Sequence, residues 1–302
     1  MNFVACQVRK HLFFSEFVEQ VTQPDGLGIQ IAAVELTPAD FQRHPLEDIL
    51  LPPRKPDDLD DVPPAGHRMA GQRTADFGLI RREHRYREAV RAYLASISFA
   101  DALVGRLVNA LEESGRADRT IVVLWSDHGW HLGEKDTWHK MTLWRRATRT
   151  PLIFVVPGLT TPGACCDRPV SLLDLYPTLV ELCDLPAPPQ KLDGVSLTPL
   201  LRDPTARRAR PALTTYRRGN HAISGDRFRL IHYQDGSEEL YDILEDPHEW
   251  TNLAGDPGYD QARNRLAKWL PKTSAPDAPA KGAYRFDPET YTWRMRGKGG
   301  SR

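Results

Sequence analysis

Ser126-Asp127-His128-Gly129-Trp130-His131-Leu132-Gly133-Glu134-Lys135 follows directly on the apolar run Ile121-Val122-Val123-Leu124-Trp125, and the junction between the two decides the fold. Consecutive bulky apolar residues suit a strand buried on both faces, as in a parallel sheet. The switch to Asp-His-Gly places polar side chains at the strand's carboxyl end, where open α/β sheets hold their ligands. Asp127 offers a carboxylate, His128 an imidazole, and Gly129 lets the backbone turn or come close to a bound group. Asp127 and His128 are therefore the candidate metal ligands.

Upstream of this junction, Val90, Tyr93, Leu94, Ile97, Ala100, Val104, Leu107, Val108 and Leu111 recur at three- and four-residue steps. That spacing predicts one amphipathic helix over 82–113, ended by Gly115 and leading into a strand at 120–125. Downstream, 152–156 predicts a second buried strand stopped by Pro157-Gly158, and Asp174 is placed to cap a helix through Leu182. Strands alternating with helices signal α/β. Past Leu201 the pattern becomes short strands at 213–216, 221–224, 228–233 and 240–243, an antiparallel meander with a helix at 259–270 to cover it. The predicted organisation is an α/β part over 1–200, a small antiparallel sheet with its helix over 201–272, and a flexible tail over 273–302.

Further blocks follow in order. They include Phe41-Gln42-Arg43-His44-Pro45-Leu46, Asp57-Asp58-Leu59-Asp60-Asp61-Val62-Pro63-Pro64, Trp138-His139-Lys140 and Arg149-Thr150-Pro151-Leu152-Ile153-Phe154. Ser171-Leu172-Leu173-Asp174-Leu175-Tyr176-Pro177-Thr178-Leu179, Asp193-Gly194, Glu239-Leu240-Tyr241-Asp242 and Asp246-Pro247-His248-Glu249 complete the series. With the Asp127-His128-Gly129 loop, this series resembles the sulfatase family of the alkaline-phosphatase superfamily, most of all its iduronate-2-sulfatase and choline-sulfatase-like branch.

The resemblance implies an alkaline-phosphatase-like α/β sandwich with a central mixed sheet, incomplete at the amino terminus, plus a small carboxyl-terminal antiparallel sheet. It implies hydrolysis of sulfuric (sulfate) esters with a divalent metal held in part by Asp127 and His128, and Lys140 as the catalytic residue that contacts the sulfate. A compact ammonium suits that role, because it neutralises charge on a non-bridging oxygen. Lys135 ranks second for it. Ca2+ is the expected metal, with Mn2+ or another divalent cation left open because imidazole suits softer ions. The expected partner is a small-molecule or sugar sulfate ester.

The family's nucleophile is a formylglycine made from the first residue of Cys/Ser-x-Pro-x-Arg, and that motif does not occur in the sequence. The family's early Asp-Asp metal pair has no clear counterpart either, since Asp57-Asp58 and Asp60-Asp61 lie in a proline-rich segment. The chain therefore resembles a carboxyl-terminal portion, in which formylglycine is not available and which is expected to be inactive alone. The alternatives are a phosphonate monoester or phosphodiester hydrolase of the same superfamily, or a non-catalytic truncated remnant. Asn2 to His11 resembles a family strand running into an Arg/Lys-Pro-His turn, but without the proline. His11 is thus a candidate sulfate-facing residue. The unlike stretch after it fits an interrupted reading frame or a diverged loop equally well.

Forty basic residues balance forty acidic ones. No global field points to nucleic acid or an anionic membrane, so neither is expected as a partner. No run approaches a membrane span of ~20 apolar residues, and the first residues lack a signal-peptide pattern. As written, the chain is expected in the cytoplasm, and in the periplasm or exported if an upstream signal has been lost. The oligomeric state is left open. The four cysteines read as free thiols with Cys183 in the core, and His131 and His139 as polar surface groups. Strand edges left bare by a missing half predict poor solubility.

Overall fold

The computed structural model describes residues 2–4, 36–277 and 284–295. His11 and Cys6 lie outside the described residues. In chain order the elements begin with β1 (Asn2–Val4), α1 (Pro38–Gln42), α2 (Pro64–Arg82), α3 (Tyr86–Glu113), β2 (Val122–Trp125), β3 (His131–Leu132) and β4 (Trp138–His139). Next come α4 (Arg145–Thr148), β5 (Leu152–Val155), β6 (Cys165–Pro169), α5 (Leu175–Leu182) and α6 (Thr198–Arg202). The carboxyl-terminal elements are β7 (Ala212–Thr215), β8 (His221–Ser224), β9 (Phe228–His232), β10 (Glu238–Asp242), α7 (Asp260–Ala267), β11 (Tyr284–Asp287) and β12 (Thr292–Met295). The mixture is α/β, as the alternating pattern predicts.

The predicted helix at 82–113 begins later than its periodicity suggests. His84 adopts a left-handed φ of 54°, so the chain breaks between α2 and α3 before the apolar stripe starts. Ala89 and Val90 of α3 pack with Phe77 and Ile80 of α2 and with Ile49 and Trp138. By length and composition alone α3 is also long and apolar enough to cross a membrane.

The strand ahead of the Asp-His-Gly loop departs from expectation. β2 pairs antiparallel with β5, Val123 opposite Phe154 and Leu124 opposite Ile153, and among the described residues no strand lies on its other edge. Its residues are only half-buried, with Trp125 49% exposed. The reading of a strand buried on both faces in a parallel sheet is therefore corrected, because an apolar run records what a strand can pack against and not what lies beside it. β5 fits its prediction, with Leu152 and Phe154 packing on Val156, Cys166, Val170, Leu197, Leu200 and Leu201.

β7 to β10 form the predicted meander, in the order β10-β9-β8-β7. Period-two alternation divides its faces. Ile223, Leu230 and Leu240 pack on Leu266 of α7, whereas Ala222, Ile231, Tyr233 and Tyr241 pack on Val62, Ala70, Leu143 and Trp144 of the larger part. The residues expected as a flexible tail include the antiparallel pair β11 and β12, with Phe286 opposite Trp293.

The second sheet face also carries charge into the interior. Arg229, 2% exposed, pairs with Glu249 at 3.1 Å and donates to Thr148 Oγ1 at 2.8 Å and to the Leu143 carbonyl. Glu239 is fully buried and accepts from Trp144 Nε1 at 2.7 Å and from the Tyr233 and Tyr241 hydroxyls at 2.5 Å each. Burial pulls Arg229 below and pushes Glu249 above their ordinary ranges, and each partner's charge offsets the other's shift. Asn252 closes the same seam by donating to the Asp61 carboxylate at 2.7 Å and to its carbonyl at 3.0 Å.

Two further expectations change. Cys183 is exposed, not part of the core, because it sits at the carboxyl end of α5; Cys165, Cys166 and Cys183 are free thiols. Asp174 makes no side-chain cap to α5. Its buried carboxylate instead accepts from Ser171 N at 2.8 Å and Val195 N at 2.9 Å and pairs with Arg208 at 2.7 Å.

Candidate active-site loop

The 126–140 segment folds back on itself as β3 and β4 pair antiparallel, His131 opposite His139 and Leu132 opposite Trp138. The turn between them needs left-handed backbone at Gly133, Lys135 and Asp136, with φ of 110°, 54° and 46°. Glycine meets the first requirement without strain. Tertiary contacts hold the other two, for Lys135 Nζ lies 2.7 Å from Asp58 Oδ1 and Asp136 pairs with Arg54.

This fold-back returns Lys140 to the start of the loop. Its ammonium contacts His128 Nε2, which lies 3.8 Å from the exposed Asp127 carboxylate. His128 Nδ1 lies 3.0 Å from the Gly129 carbonyl. All three residues singled out by sequence thus converge at the end of β2. Gly129 fixes the loop against α4: its N–H donates to the Ala147 carbonyl at 2.8 Å, and a Cβ there would come within 2.0 Å of the Arg146 carbonyl oxygen.

The structure gives the two lysines different surroundings. Lys135 is 2% exposed and spent on Asp58 and the Glu249 carbonyl, so it holds the fold. Lys140 is half-buried beside His128 and faces the loop. Asp127 and His128 fit a divalent cation as one carboxylate and one imidazole donor. They do not complete a set, because no group of three or more His, Cys, Asp or Glu converges among the described residues.

Sequence reasoning missed the walls of the loop. The Trp130 ring lies 6.2 Å from the His128 ring and 5.0 Å from that of His139, edge-on. His139 Nε2 lies 3.3 Å from Asp76 Oδ2 of α2. No spacing in the sequence links Asp76 to this loop.

His131 is not the surface group expected. It is fully buried, with Nε2 2.9 Å from Thr142 Oγ1. Burial first, then the charges of Arg146 and Lys135, push its pKa down to about 3, against about 6.5 in an unfolded chain. Between those values the unfolded chain carries a proton that the folded chain does not, so stability falls as pH drops through that window, by about 1.4 kcal/mol per pH unit. The full contribution is present above pH 6.5. Urea unfolding between pH 7.5 and 4.5 is expected to show this slope in the wild type and a shallower one in His131→Gln. An equal slope in both would remove His131 as the titrating group.

With this geometry in view, residues 42–185 match the profile of the Sulfatase family, and 133–275 match that of the carboxyl-terminal region of N-sulphoglucosamine sulphohydrolase. The chain belongs to the sulfatase family. A sulfatase of Formosa agariphila is 39% identical over 260 residues, covering 85% of this chain and 50% of that protein. The choline-sulfatase of Rhizobium meliloti is 35% identical over 182 residues, covering 58% of this chain and 35% of that protein. Thus the chain spans half or less of the length of these sulfatases.

Among solved structures, a protein in complex with its substrate D-glucosamine-2-N,6-O-disulfate is 29% identical with a TM-score of 0.54, covering 68% of this chain and 44% of that one. A phosphonate monoester hydrolase from Silicibacter pomeroyi shares the fold with a TM-score of 0.63 at 23% identity, over 83% of this chain and 55% of that one. This chain has the alkaline-phosphatase-like fold expected of a sulfatase, but in place of the expected central mixed sheet the described strands all pair antiparallel in several small sheets.

Proposed function

We infer that these 302 residues form the anion-binding portion of a sulfuric ester hydrolase and do not turn substrate over by themselves. The convergence of Asp127, His128 and Lys140 at the end of β2 carries this reading. Lys140 offers an ammonium at this loop, and a sulfate's non-bridging oxygens gain from such fixed positive charge. Contact between Lys140 and His128 Nε2 couples the two groups, so the imidazole orients the ammonium while the ammonium donates to the ring. Trp130, stacked on His128, restricts water on one side.

A divalent cation bound through Asp127 and His128 would take the Nε2 lone pair that Lys140 meets here, since Nδ1 faces the Gly129 carbonyl; it would supply further positive charge against the sulfate and release the Lys140 ammonium toward it. Ca2+ suits Asp127, and Mn2+ or another softer ion suits His128 better. Lack of Cys/Ser-x-Pro-x-Arg in the sequence supports the reading that no formylglycine forms in this polypeptide, so ester cleavage awaits a nucleophile from elsewhere. The glucosamine disulfate held by the solved relative favours a sugar sulfate as the ester.

Binding and turnover of a chromogenic aryl sulfate test this together. Wild type is expected to bind the ester and release no phenol above buffer. Lys140→Ala is expected to weaken binding about tenfold or more, the cost of removing one charge-assisted hydrogen bond. Unchanged affinity would take Lys140 out of the site. Turnover abolished by Lys140→Ala would instead reveal a nucleophile within the chain.

A further inference from the structure

A second cluster of positive charge lies beside α4. Arg145, Thr148, Arg149, Ser224 and Arg229 line a cleft of about 150 Å³ together with the carboxylates of Asp167 and Asp226. Two of these charges are already matched, Arg229 by Glu249 at 3.1 Å and Asp226 by Arg168 at 2.7 Å. Arg145 and Arg149 form no ion pair among the described residues. Glu249 and Asp167 act on them only from beyond pairing distance. Ser224 Oγ accepts from Arg229, which leaves its own proton to donate into the cleft.

Removal from water and the neighbouring Arg149 push Arg145 down to about 10, and an anion between the two guanidiniums would relieve both effects. The planar forks suit tetrahedral oxyanions. A volume of that size holds several waters, or one such anion with water around it. We propose that this cleft is a second anion site, taking inorganic sulfate or phosphate between Arg145 and Arg149 with Ser224 as a further donor.

The site is separate from the Lys140 loop and does not rest on the proposed function. It is nonetheless connected to that loop, because the carbonyls that fix Gly129 belong to the α4 segment which carries both arginines. An anion bound there would stiffen the wall against which the active-site loop packs.

Calorimetric titration of the full chain with sodium sulfate and with sodium phosphate, at constant ionic strength, tests the proposal. Lys140→Ala is expected to retain an inorganic-anion binding event that Arg149→Gln weakens at least tenfold, with Arg149→Lys intermediate. Arg149 is exposed at the cleft mouth, so its replacement should leave the fold intact, which circular dichroism checks. In crystals of the unmodified chain soaked in selenate, anomalous signal is expected between Arg145 and Arg149. Tighter sulfate binding would identify the reaction's product class as occupant, and tighter phosphate binding the cellular phosphate pool. The proposal is overturned by unchanged affinity in Arg149→Gln, by no inorganic-anion binding at all, or by loss in Lys140→Ala alone.

Discussion

Arg229→Ala is expected to destabilise the protein by about 3–5 kcal/mol, the usual consequence of removing one partner from a buried ion pair. Its loss would leave Glu249 and Glu239 facing each other in the interior without the cation that both act on. The Leu143 carbonyl and the Ser224 and Thr148 hydroxyls would lose a donor as well. Equilibrium urea unfolding reads the effect directly. Arg68→Ala breaks a pair of comparable length, 2.8 Å to Asp235, but with side chains 66% and 45% exposed, and is expected to cost under about 1 kcal/mol. Equal losses in the two variants would show that the Arg229 network does not hold the small sheet to the larger part.

Gly129→Ala is expected to be the most damaging single-methyl change in the loop. A Cβ at that position meets backbone, the Arg146 carbonyl oxygen at 2.0 Å and that of Arg149 at 2.7 Å, and backbone cannot rotate away as a side chain can. The loop must lift off α4, at a cost of about 3 kcal/mol, the upper end for overpacking. Because Asp127 and His128 precede that contact and Lys140 meets His128, aryl sulfate affinity should fall by at least tenfold in the same variant. Gly78→Ala supplies the contrast. Gly78 lies within α2 with nothing in the path of a Cβ, and alanine there should stabilise by about 0.5–1 kcal/mol through helix entropy. A Gly129→Ala protein with wild-type stability and affinity would show that the loop does not depend on this contact.

Much of the fold was legible because it rests on local periodicity. Alternation over β7 to β10 and the abrupt end of an apolar run at Asp127 are properties of neighbouring residues. Burial was less legible. Cys183 and His131 exchange their expected places, since exposure depends on which surfaces meet from distant parts of the chain and a single residue type carries little of that information. The β2 environment failed for a related reason, as an apolar strand is compatible with neighbours of either direction.

The sequence by itself determined which residues are candidates for the chemistry: a carboxylate and an imidazole at the end of a strand, a glycine that lets the loop close, and two lysines within reach. Only the tertiary structure separated those lysines by their surroundings. Asp58, 77 residues upstream of Lys135, captures that lysine in the interior, while the pairing of β3 with β4 delivers Lys140 to His128. A buried ammonium requires a counter-charge, and which lysine receives one depends on where a remote segment packs, information that no local spacing contains.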